Sequence, residues 1–273
     1  MTTIDDKPEN SSQTAISETR SSIQTISDKD NKPDFSLPVP NISYRETRVS
    51  TPDEKSLEKN RVISSVSTTG LSDIYRLLRT RILYRMDAFG FKSVAITSPN
   101  RCAGKTQTAV NLAMSLAMQT TRTVLLIDTD LRSPAVHKLV GIAAEPGLQD
   151  FLLNEASLSS CLVNPGVERL VILPLAYSLQ GSSELLASPK MISMTQELAQ
   201  RYPERIIIYD LPPLLFSADS LIFLKYVDCC LLVTDEGGTK KNELVQSINY
   251  LEQFNLIGTV YNKTSEVDSI RYK

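Results

Sequence analysis

The chain predicts an α/β fold: a mostly parallel β-sheet flanked by helices on both faces. Three observations predict it. Six short runs are apolar nearly throughout rather than at alternate positions, the pattern of strands buried on both faces. Stretches of helical period separate several of them. Polar turns rich in Asp, or carrying Gly-Lys-Thr, follow three of the runs. Right-handed crossovers would gather those turns on the sheet edge where ligands bind.

The first stretch stands apart. Residues 1–60 hold 17 Ser or Thr and 19 charged residues against 13 apolar ones. Such a segment cannot bury enough surface to offset its ordering entropy, and Pro38, Pro40 and Pro52 add to that. The reading is a disordered polar segment over 1–65, either a solvated tail or a tether for a partner. A folded domain follows over 66–273.

Within the domain, Leu71, Ile74, Leu78 and Ile82 fall at helical spacing. Ser93-Val94-Ala95-Ile96-Thr97 is the first strand candidate, and Ala109 to Met118 returns to helical period. Further strand candidates are Thr123–Ile127, Leu170–Leu173, Arg205–Tyr209, Cys229–Val233 and Leu256–Val260.

Composition excludes several functions. Of 273 residues 41% are hydrophobic, enough for a sizeable core, yet no apolar run nears the roughly 18 residues of a membrane span. The residues after Met1 form neither the basic nor the apolar region of a secretory leader, so a cytoplasmic location is expected. A net charge of −2 argues against nucleic acid as partner. Cys102, Cys161, Cys229 and Cys230 lack metal-ligand spacing, and the single His137 cannot complete a zinc set.

The chemistry-bearing residues lie after the strands. Pro99-Asn100-Arg101-Cys102-Ala103-Gly104-Lys105-Thr106 fits the second half of a P-loop, with Pro99 in place of the first glycine. Backbone N–H groups would wrap phosphates there, Lys105 would meet the β/γ-phosphates and the Thr106 hydroxyl would meet Mg²⁺. Asp128 and Asp130 follow the next strand and can meet the metal or its waters. Their plain alternative is a helix-capping aspartate plus a surface charge. Asp210 ends the β-branched run Ile206-Ile207-Ile208-Tyr209 in the manner of a Walker B carboxylate, with a chance strand-end aspartate as its alternative.

On these residues, the stretch from Tyr75 to Lys263 resembles the bacterial tyrosine kinases of capsule and exopolysaccharide systems, relatives of the deviant-Walker partition ATPases. The family's second acidic motif is similar to Val124 through Pro134 with His137 after it. Its Walker B is similar to Ile207 through Pro213, followed by Asp219. Val227-Asp228, Leu231-Leu232-Val233, Thr239 and Ile257 through Asn262 also match. Asp73-Ile74-Tyr75-Arg76-Leu77-Leu78-Arg79 resembles the family's oligomerisation helix, with Asp for the usual Glu.

The resemblance implies a deviant-Walker P-loop fold and an ATP- and Mg²⁺-dependent tyrosine autokinase. Arg101, Cys102, Ala103, Gly104, Lys105, Thr106 and Gln107 would hold the nucleotide, with Asn262 near the adenine. Thr106, Asp128 and Asp210 would serve the metal. Lys105, Asp128, Asp130 and Asp210 would carry catalysis, the first two aspartates accepting the tyrosine's proton. Asp73, Arg76 and Arg79 would join copies into a homo-oligomer. A transmembrane polysaccharide co-polymerase, or chain-length regulator, would recruit the protein to the inner face of the cell membrane. The family's P-loop reads Gly-Glu-Gly-Lys where this chain has Cys102-Ala103-Gly104-Lys105, and a positive φ at 102 would strain a cysteine. The family commonly ends in a tyrosine cluster; here Tyr272 is the single tyrosine after Asn262 and the expected phospho-acceptor. Two other functions fit less closely. One is a weak or inactive nucleotide-binding scaffold of the same polysaccharide system. The other is a partition or positioning ATPase, whose signature P-loop lysine is Asn100 here.

Overall fold

A computed structural model describes residues 47–64, 70–118, 122–201 and 204–265. The polar segment up to residue 46 and Tyr272 lie outside these. In chain order the elements begin with β1 (Arg48–Val49), α1 (Glu54–Lys59), α2 (Gly70–Phe89), β2 (Ser93–Thr97), α3 (Lys105–Ala117) and β3 (Thr123–Asp128). Then come α4 (Val136–Val140), α5 (Leu148–Leu152), α6 (Leu158–Cys161), β4 (Val163–Asn164), β5 (Leu170–Leu173), α7 (Ser182–Leu186) and α8 (Pro189–Arg201). The last are β6 (Arg205–Asp210), α9 (Asp219–Phe223), β7 (Cys229–Asp235), α10 (Lys241–Leu251) and β8 (Leu256–Asn262).

The strands form one sheet in the order β1-β4-β5-β3-β6-β2-β7-β8. Every neighbouring pair is parallel except β4 with β5. The apolar runs explain the layering. Along β3, Val124 and Leu126 enter one core while Leu125 and Ile127 enter the other; along β6, Ile206 and Ile208 oppose Ile207 and Tyr209 in the same way. Ile82 and Met86 of α2 with Val110 of α3 cover the first face, and Met191, Met194 and Leu198 of α8 cover the second. The α/β sheet with helices on both faces is therefore what the sequence predicts, and the six expected strands are β2, β3 and β5 to β8.

The boundary expected at residue 65 is corrected. Residues 47–64 form a strap on the folded domain. β1 pairs with β4, and the Ser50 N–H donates to the Asn164 carbonyl at 2.9 Å. Leu57, Val62 and Ile63 are buried. Polar side chains pin the strap's backbone. Asn111 accepts from the Ile63 N–H at 2.9 Å, Gln107 donates to the Arg61 carbonyl at 2.8 Å, and Asn60 donates to the Leu139 carbonyl at 2.9 Å. Three apolar residues and these anchors hold a segment whose average composition is too polar to fold on its own.

Candidate functional site

The site lies at the C-terminal ends of β3, β6 and β2, the middle of the sheet. The loop from Ser98 to Gly104 leaves β2 and feeds α3, whose first residue is Lys105. Gly104 precedes the helix at φ +95°, and a Cβ there would stand 2.0 Å from Asn262 Nδ2. The positive φ favours glycine, and a Cβ there would displace the Asn262 amide. Asn262, at the end of β8, donates from Nδ2 to the Ala103 carbonyl at 3.0 Å. Lys263 Nζ reaches the Cys102 carbonyl and lies 3.2 Å from Asp235 Oδ2. The end of β8 therefore clasps the loop from outside. Cys102 is exposed and takes φ +63°, a left-handed conformation that strains a cysteine. All four cysteines are free thiols.

Lys105 points into the site, not into solvent. Its Nζ lies 2.9 Å from Asp130 Oδ2, 3.5 Å from Asp210 Oδ1 and 3.1 Å from Thr106 Oγ1. Burial opposes its charge, but Asp210 and Asp130 outweigh burial and keep its pKa above the ordinary lysine value. Asp210 is fully buried, and its Oδ2 has no hydrogen-bond partner. Burial, with help from the Asp130 charge, pushes Asp210 up to about 6 against the pull of Lys105 and Thr106. Burial and then the Asp210 charge push Asp128 up to about 8. Three buried carboxyl groups thus share one lysine.

Asp128 and Asp130 divide the expected roles differently. Asp128 Oδ2 accepts from the Ala135 and Val136 N–H groups, both at 3.0 Å, and Oδ1 accepts from the Asp130 N–H at 3.3 Å. Both its oxygens are given to the backbone, so it caps the start of α4 and fixes the loop, as the plain alternative has it. Asp130 is no surface charge: it is buried against Lys105. Arg132 lies within the second acidic motif and is given no role by the sequence. Its Nε donates to Asp219 Oδ2 at 2.9 Å, while Ser183 Oγ donates to Asp219 Oδ1 at 2.6 Å.

A cavity of about 450 Å³ opens beside Lys105 and Thr106, lined also by Arg101, Gln107, Asp130, Arg132, Leu139 and Phe216. The Arg101 guanidinium carbon sits 5.7 Å from the Phe216 ring centroid. Phe216, Leu139 and Lys263 are absent from the sequence-based site. Phe216 and Leu139 lie in loop and helix positions without motif spacing, and Lys263 follows the last matching stretch. Of the remaining expectations, Asp73 and Arg76 pair with each other at 2.8 Å on the exposed face of α2. Arg79 instead turns inward and donates to the Ser115 carbonyl of α3 at 2.6 Å.

The donor set suits Mg²⁺. Thr106, Asp130 and Asp210 offer oxygen only, and the unpartnered Asp210 Oδ2 is a ready acceptor for a metal-bound water. Among the described residues no three His, Cys, Asp or Glu side chains meet in a metal cage.

Known proteins resemble the chain along about 70% of its length. A family described as an AAA domain matches residues 91–255. Tyrosine-protein kinase YwqD of Bacillus subtilis (strain 168) is 33% identical over 193 residues, covering 70% of this chain and 80% of its own length. Tyrosine-protein kinase CpsD of Streptococcus pneumoniae is 31% identical over 194 residues, covering 70% of this chain and 83% of its own. The crystal structure of the chimerical protein CapA2B2 superposes with a TM-score of 0.69 at 25% identity, covering 79% of this chain and 92% of that one.

Proposed function

From the premise that the chain belongs to the bacterial tyrosine-protein kinase family, we propose that it is an ATP-dependent protein-tyrosine autokinase of a capsule or exopolysaccharide system. The observation that carries this is Lys105 held between Asp130 and Asp210 beside an open cavity. Phosphoryl transfer asks little covalent chemistry of the protein, so positioning and charge do most of the work. Bound Mg²⁺ would neutralise phosphate charge, with Thr106 and Asp210 holding it or its waters. Lys105 would leave its carboxylates for the β/γ-phosphates. The bond from the γ-phosphorus to the β-bridging oxygen breaks, and a bond from that phosphorus to the tyrosine oxygen forms. Asp130 takes the phenolic proton and later releases it to water. Asp128 keeps the loop that carries Asp130 in place. Asn262 and the P-loop residues Cys102 to Gln107 hold the nucleotide, with Arg101 at the rim of the site.

No helix of the described residues is long and apolar enough to cross a membrane. The same reading has a transmembrane co-polymerase recruit the protein to the cytoplasmic face of the membrane, and copies associate through α2. Tyr272 is then a self-acceptor of low stoichiometry.

The test is intact-mass analysis after incubation with Mg-ATP. Wild type should gain phosphate on tyrosine and melt at higher temperature with Mg-ATP, because only native protein binds the ligand. Lys105→Met should lose both, with transfer down by at least about a hundredfold. A thermal shift without any phosphotyrosine would favour the scaffold function.

A further inference from the structure

Resting on the kinase reading above, we infer that the half of the cavity over β3 and β6 seats the acceptor tyrosine. Arg101 at its rim then selects tyrosines with acidic neighbours over those with basic ones. The sheet order separates the two substrates. Asn262 and Asp235 end β8 and β7, on one side of the P-loop, and the clasp on the Ala103 carbonyl places the expected base contact there. The cavity lies on the other side, over the ends of β3 and β6, past Lys105. Leu139, Ala135, Pro213 and Phe216 give its wall there, beside Arg132 and Ser133, an apolar surface that suits an aromatic ring. At its inner end stands Asp130 beside Lys105, where a phenol hydroxyl would lose its proton.

The charge at the rim is what makes the seat selective. Two arginines border the cavity, and only one is neutralised. Arg132 is tied to the buried Asp219, whose carboxylate offsets its charge. Arg101 is exposed, stacks over Phe216 and pairs with no carboxylate among the described residues. A guanidinium over an aromatic face keeps its charge available to a third group. Residues next to a tyrosine inserted between Phe216 and Leu139 would lie within a Debye length of that charge. Glu or Asp in those positions would be attracted, and Lys or Arg repelled. Tyr272 has Arg271 before it and Lys273 after it, so the chain's own late tyrosine is a disfavoured acceptor. The favoured one is an acid-flanked tyrosine of another protein.

Two synthetic peptides decide the matter with the full-length protein and Mg-ATP. One carries residues 264–273 as they stand; the other carries the Arg271→Glu and Lys273→Glu changes. Charged neighbours of opposite sign at two positions should give the second peptide a kcat/KM higher by about tenfold at low salt. The ratio should fall towards one at high salt. It should persist in Arg101→Lys and invert in Arg101→Glu. A ratio cancels any general loss of activity in these variants. Equal use of both peptides by wild type, or a ratio indifferent to Arg101→Glu, overturns this inference alone. So does transfer to neither peptide by a protein that labels itself. A protein that labels neither peptide nor itself overturns the kinase reading and this inference with it.

Discussion

Asp210 and Asp219 stand at opposite ends of the loop that leaves β6, both with no solvent exposure, yet their surroundings differ completely. Burial pushes Asp219 up too, but donors from Arg132, Ser183, Ser217 and Ser182 outweigh it and hold the carboxyl below its ordinary range. Asp210 has a lysine at 3.5 Å, another carboxylate nearby and one oxygen without a partner. A buried carboxylate that has all its donors is scaffold. One left short of them at a cavity is stability given up for a ligand that has yet to arrive.

Replacing each by asparagine should separate the two with opposite signs. Asp219→Asn should lose about 2–3 kcal/mol near neutral pH, because it breaks a buried, charge-assisted set. The folded pKa of Asp219 is depressed, so its contribution is present above the unfolded value near 4 and fades as pH falls through the folded one. The loss should therefore shrink in acid. Asp210→Asn should instead gain about 1–2 kcal/mol in nucleotide-free protein at pH 8, since it relieves one of three crowded carboxyl groups. Here the folded pKa is raised to about 6, so the penalty grows as pH climbs from about 4 through 6; the gain should fall to about half at pH 5 and nearly vanish below about pH 4. Urea melts at about pH 3.5, 5 and 8 measure both. Losses of stability in both variants would break the comparison.

That contrast was only half legible in the sequence. Asp210 could be read because a run of β-branched residues ending in an aspartate has a fixed geometry: β6 puts the carboxylate at the sheet edge. Lys105 and Thr106 could be read for the same reason, since strand, loop and helix leave the P-loop few places to go. Whether a carboxylate is satisfied there depends on partners far away in the chain. Ser183 and Arg132 reach Asp219 from two different segments, and Ala135 and Val136 reach Asp128 through the turn into α4. The strap at 47–64 was hidden for a related reason. Its few apolar residues count for little in a composition average and for much once Asn111 and Gln107 hold its backbone in place.

The same distinction divides the two arginines of α2. Arg79 gives its charge to the Ser115 carbonyl and is part-buried, whereas Arg76 pairs with Asp73 in solvent. Arg79→Ala should lower folding stability by about 1–1.5 kcal/mol, as expected for a hydrogen bond from a charged donor that is partly shielded from water. Arg76→Ala should leave stability within about 0.5 kcal/mol, because an exposed ion pair contributes little. If copies associate through this helix, Arg76→Ala should lower the mass seen by light scattering on its own. A mass that falls only in Arg79→Ala would mean that association follows the fold of α2 and not a contact made by its exposed face.

The smallest effect belongs to Cys102, where the backbone, not a carboxylate, is left short. At φ +63° its Cβ crowds the chain in a way glycine avoids, and L-residues outside Asn and Asp seldom hold this conformation. The thiol itself is exposed, so no packing in the core repays the strain. What holds the conformation is the clasp: Lys263 on the Cys102 carbonyl and Asn262 on the next one. Cys102→Gly removes the Cβ but frees the unfolded chain, and the two effects together should leave a gain of about 0.5–1 kcal/mol. Cys102→Ala keeps the Cβ and should gain nothing. A shift of the urea midpoint in the glycine variant alone, at constant slope, locates the strain in the backbone. Equal shifts in both would assign it to the sulfur and leave the P-loop backbone relaxed at Cys102.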